Sequence, residues 1–73
     1  MSKFYNEALF IDKNTNKVIW RLVSKPFSEK HPHFNKFYWN KEKQEVLERL
    51  IKDRFLNKHE IEIRDYSRAI END

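Results

Sequence analysis

Three histidines, His31, His33 and His59, are the side chains of this 73-residue chain best suited to hold a metal or move a proton near neutral pH. A structural zinc site needs four ligands, commonly from matched Cys and His pairs, and the chain has no cysteine. His31-Pro32-His33 therefore reads as two ordinary loop imidazoles, and no metal site is expected. General acid–base chemistry needs a carboxylate or imidazole in a pocket that shifts its pKa, with a second group in reach. Glu60 and Glu62 alternate along a strand pattern and both face water, while Glu7 and Asp12 fall in a strand and a turn. No serine sits in a nucleophile elbow, and without cysteine there is no thiol nucleophile. Glycine is absent as well, which removes the P-loop and the dinucleotide-binding fingerprint, where backbone must approach phosphate closely. The expectation is a chain with no catalytic residues and no cofactor.

Binding chemistry is better supplied. Between Lys25 and Lys43 the sequence carries five Lys against two Glu, with five aromatic rings among them. Single-stranded nucleic acid is held by cations that follow the phosphates and by rings on which bases stack, so this interleaving fits direct nucleic-acid binding. The competing use is structural, because so short a chain needs its aromatics in the core. The same residue types also anchor protein interfaces, where Trp, Tyr and Arg dominate, and Trp20, Arg21, Tyr38 and Trp39 fit that role. An exposed sheet edge could add a partner strand. The candidate binding residues are Trp20, Arg21, Lys25, Phe27, Lys30, His31, His33, Lys36, Tyr38, Trp39, Lys41 and Lys43.

The expected function is a non-catalytic binding protein that regulates or inhibits a larger partner, most simply part of the nucleic-acid-handling machinery. The alternative is direct binding of DNA or RNA by the basic aromatic segment. Richness in Lys, Asn, Ile, Phe, Tyr and Glu is what an AT-rich genome encodes and fits a phage-type accessory protein.

Periodicity predicts the elements that must position these residues. Phe4 to Ile11 alternates as a strand, with the buried face open to either choice. Asp12 to Lys17 is a polar turn whose Asn residues tolerate positive φ. Lys17 to Ser24 is the returning strand of a hairpin; both its faces are largely apolar, as expected of a central strand. The hairpin thus spans about 4–24, and residues 25–39, broken by Pro26 and Pro32, read as a long basic aromatic loop. Asn40 suits an N-cap, and Val46, Leu47, Leu50, Ile51 and Phe55 follow helical spacing over about 41–56, with Asn57 as the stop. Glu60 to Tyr66 alternates as a third strand with Ile61 and Ile63 inward, and its charged outer row would discourage stray pairing at a sheet edge. Residues 67–73 read as a fraying tail.

The predicted fold is a small β-β-α-β domain of the α+β class, residues 1–73 forming one domain in which an antiparallel hairpin and a third strand pack against one amphipathic helix. Three strands and one helix leave one sheet face uncovered, which allows homodimerisation. Charge is uneven: residues 1–44 hold nine Lys or Arg against four Asp or Glu, and residues 45–73 hold six against eight. No stretch approaches the roughly 20 apolar residues of a membrane span, and residues 1–7 lack the apolar core of a signal peptide, so a cytoplasmic protein without membrane partners is expected.

Overall fold

The computed structural model describes residues 3–28 and 32–70. It is a small α+β domain in which β1 (Lys3–Asp12), β2 (Lys17–Val23), β3 (Phe27–Ser28) and β4 (Ile61–Ile70) form one antiparallel sheet, and α1 (Pro32–Arg54) packs on it. The centre of the sheet is β1. Its whole length pairs with β4, from Lys3 opposite Ile70 to Asp12 opposite Ile61. Its other edge is shared by β2, which pairs Glu7 to Asp12, and by the short β3, which pairs Lys3 and Phe4.

Cross-strand partners share a face in such a sheet, so the register sorts the side chains. Phe4, Asn6, Ala8 and Phe10 of β1 look toward the helix, with Trp20 and Leu22 of β2 and Ile63, Asp65 and Ser67 of β4. Ala8 and Phe10 are fully buried there and pack with Trp39, Leu47, Leu50 and Ile61, and Ile19, Val46 and Ile51 close the margins. The opposite face carries Tyr5, Glu7, Leu9 and Ile11 between Arg21 and Val23 on one side and Arg64, Tyr66 and Arg68 on the other. No described element covers it.

The helix begins at Pro32, nine positions before the predicted start, and Asn40 lies inside it rather than capping it. A proline suits the first helical position, where its missing N–H has no intrahelical acceptor to lose. The predicted loop 25–39 is thus a link at Lys25 and Pro26, the two-residue β3, and the first third of α1. Among its residues, Lys30 and His31 lie outside the described residues.

At its far end α1 stops at Arg54, short of the predicted Asn57. Phe55 takes φ 55°, the left-handed conformation, and the Leu56 N–H reaches back to the Ile51 carbonyl at 3.3 Å. This is a Schellman-type closure, normally built on glycine. Asn57 instead opens the short 3-10 turn Lys58–Glu60, donating its N–H to the Glu60 carboxylate at 3.0 Å. Glu60 is therefore no outward strand residue. Its other carboxylate oxygen accepts from the Asn14 amide at 2.6 Å, and its carbonyl accepts from the Lys13 N–H at 2.9 Å, so it pins the hairpin turn to the start of β4. Within that turn Asn14 N–H donates to Asp12 Oδ1, and Asn16 adopts the positive φ expected of it.

Two further expectations change. Ser67 to Ile70 continue β4 instead of fraying, because Asn6 to Lys3 offer them a paired edge. The doubly apolar β2 is an edge strand, not the central one. No helix among the described residues is long and apolar enough to cross a membrane.

Candidate interaction surface

The edge position of β2 leaves apolar side chains without a neighbour. Val18 is 54% exposed, Trp20 47% and Val23 42%. A bulge sharpens this arrangement. Phe10 pairs Trp20 whereas Ile11 pairs Val18, so Ile19 is an extra residue that shifts the alternation. Ile19 packs at the margin of the core, Trp20 stays on the helix side, and Val18 passes to the open face with Arg21 and Val23.

A groove of about 360 Å³ runs between β2 and α1. Trp20, Leu22, Val46 and Leu50 form its floor, and Glu42, Glu45, Arg49 and Asp53 stand along its helical rim. The rim follows from helical spacing, since positions 42, 45, 49 and 53 recur on one flank every three or four residues. Three carboxylates against one guanidinium give this side a negative field over an apolar base.

The predicted basic aromatic residues converge only in part. Trp39 is only 6% exposed, and its indole Nε1 donates to Asp65 Oδ1 at 2.9 Å. The Lys43 ammonium pairs with the other oxygen of Asp65 and lies 5.8 Å from the Trp39 ring centroid. Both groups are therefore engaged within the fold. Phe27 is half-buried with its ring 6.1 Å from that of Phe4. A second groove of about 450 Å³ does gather Phe27, Lys36, Trp39 and Lys43 with Asn40 and Asp65. Tyr38 is exposed and meets the adjacent Phe37 ring edge-on at 5.6 Å. Lys25 and Lys41 are exposed, and His33 falls in the first turn of α1.

Arg21 points away from both grooves. On the open face its Nε donates to Glu7, which also accepts from Arg68 Nε at 2.8 Å. Glu7 is 5% exposed, a carboxylate set between guanidiniums from the two flanking strands. The Arg68 and Arg21 hydrogen bonds hold its pKa below the usual carboxylate value, against the opposing effect of burial. Arg64 pairs with Glu62 on the same face, and the Arg68 guanidinium lies 5.0 Å from the Tyr66 ring centroid.

Val18 and Val23 were absent from the predicted site, as were Glu42, Glu45 and Asp53. The signal that could have found the valines is the two-sided apolar pattern of β2, which reads equally as interior or as a surface awaiting a partner. Comparison of the chain with known protein families, characterised proteins and solved structures finds no match.

Proposed function

We propose that this chain is a non-catalytic binding protein that regulates or inhibits a larger protein, engaging it through the free edge of β2. The observation that carries this reading is a conflict between composition and position. An edge strand normally blunts stray pairing with charges, prolines or bulges that twist the edge away. β4, the opposite edge, is protected in that way by Glu62, Arg64, Asp65 and Arg68. β2 has its bulge at Ile19 and the charges of Lys17 and Arg21, yet it keeps Val18, Trp20 and Val23 exposed at an edge that no described strand pairs. Such an edge gains backbone hydrogen bonds and apolar contact when a partner strand is laid along it.

Direct nucleic-acid binding by the segment 25–43 is less well supported, because Trp39 and Lys43 are engaged with Asp65. The test is site-specific photo-crosslinking. A photoreactive phenylalanine at position 18 or 23, exposed to nuclease-treated lysate of the source organism, is expected to capture one protein in stoichiometric yield. The same probe at the exposed position 41 is expected not to do so. Equal labelling at all three positions, or none, would overturn the proposal.

A further inference from the structure

We infer that the β2 edge and its groove receive an extended segment of a partner protein whose helix-side residues are alternately Lys or Arg. This rests on the reading of β2 as a docking edge and specifies the chemistry of what docks.

A strand added outside β2 would continue the sheet, and every second side chain would project to the helix side. There it would meet Trp20 and Leu22 below and the carboxylates of Glu42, Glu45 and Asp53 beside it, with Arg49 as the lone cation of the rim. Lysine and arginine fit both features, since their aliphatic stems cover apolar surface while the charged head reaches the rim. Trp20, 47% exposed, also offers an indole face for a cation. Acidic side chains would meet three like charges, and a phosphate backbone would meet the same repulsion.

The occupant is foreign rather than a second copy. Self-pairing through β2 would lay Ile19, Trp20 and Leu22 along the acidic rim, with a single cation, Lys17, at one end of the strand. Self-pairing through β4 would bring Ile61, Ile63, Asp65, Ser67 and Ala69, which include no cation and add a carboxylate. Neither strand complements the groove. On the other face of the added strand the neighbours are Val18, Arg21 and Val23, so the intervening partner residues are apolar or β-branched.

The probe is a capped heptapeptide with lysine at its second, fourth and sixth positions and valine or threonine between, compared with the same peptide carrying glutamate there. Backbone and indole amide spectra of the full chain are followed during titration. The lysine peptide is expected to shift the amides of residues 18–23 and the Trp20 indole, and to bind at least tenfold more tightly than the glutamate peptide. A variant combining Glu42→Gln, Glu45→Gln and Asp53→Asn is expected to lose that preference while its melting curve stays unchanged, because all three side chains stand on an exposed rim. Equal binding of both peptides along β2 would overturn the charge rule and leave the docking edge standing. Capture at positions 18 and 23 without peptide binding would likewise overturn only the present inference. Failure of both would remove the two together. A dimer in sedimentation that Trp20→Ala dissolves would assign the edge to a second copy and overturn the inference.

Discussion

The Trp39 indole donates to Asp65 at 2.9 Å, tying the first third of the helix to the middle of the last strand. Asp65 faces the helix because it pairs with Ala8, and Lys43, one turn beyond Trp39, pairs with its second oxygen. One carboxylate thus satisfies an indole and an ammonium at the margin of the core.

Trp39→Phe keeps an aromatic ring but removes the donor and part of the buried side-chain volume. It is expected to destabilise the fold by at least about 1 to 2 kcal/mol, the usual cost of a lost hydrogen bond at a partly buried carboxylate, to which the lost core packing adds. Chemical denaturation monitored by far-ultraviolet circular dichroism checks this. A variant as stable as the parent would mean that the bond is immaterial to the helix's early start.

Phe10 is the only large side chain among the described residues that is fully buried. Phe10→Ala should cost about 3 to 5 kcal/mol, as truncation of a large core aromatic commonly does. Few chains of this size have that much to lose. The expected readout is a collapsed amide spectrum at room temperature, and a well-dispersed one would place the core elsewhere.

Glu7 and Glu60 are both held below the ordinary carboxylate value, Glu7 by Arg68 and Arg21, Glu60 by the Asn14 amide and the Asn57 N–H. A folded-state pKa below the unfolded one means that the ionised carboxylate stabilises the fold above the reference value of 4.5, and that this stabilisation is lost as pH falls through the lowered one. Melting temperature should therefore be nearly flat from neutral pH to about 5.5 and fall progressively below about 4.5. Glu7→Gln should lower the neutral-pH melting temperature and flatten the acid limb. Parallel curves for parent and variant would show that the clasp with Arg21 and Arg68 contributes nothing.

Phe55 is 94% exposed and occupies the left-handed region. A side chain with a Cβ pays roughly 1 to 2 kcal/mol for that conformation. Phe55→Gly should therefore stabilise the helix end by about 1 kcal/mol, net of glycine's greater freedom when unfolded. A rise in denaturation midpoint checks it; a fall would mean that the ring makes a contact it does not show.

The β-β-α-β order was legible because alternation and helical spacing report burial directly: Ile61 and Ile63 point inward as their pattern predicts. The start of the helix was not legible. Trp39, Val46, Leu47 and Leu50 share the buried stripe, but Lys43 stands within it, and a lysine on the inner face breaks the apolar rhythm that would have revealed the preceding turns. Only its pairing with Asp65, 22 positions away, makes that placement stable. Ser67 to Ile70 were unreadable for a similar reason, since their strand character comes from pairing with Lys3 to Asn6 and not from their own pattern. The exposed edge of β2 was hidden by a different ambiguity. Local sequence reports that β2 is apolar on both faces, but whether a neighbour covers it depends on strand order.

The pairing of β1 with β4 also sets the timing of assembly. The ribosome delivers Lys3 first and its partner Ile70 only 67 positions later, at roughly 5 to 20 residues per second. Hairpin β1–β2 can close early, being local, but the other edge of β1 must wait while the whole helix is made. During that interval the nascent chain exposes Phe10 and two adhesive edges instead of one. A partner or chaperone that seals β1 before β4 emerges would trap the chain unfolded, so this small domain commits to its structure only when its last strand leaves the exit tunnel.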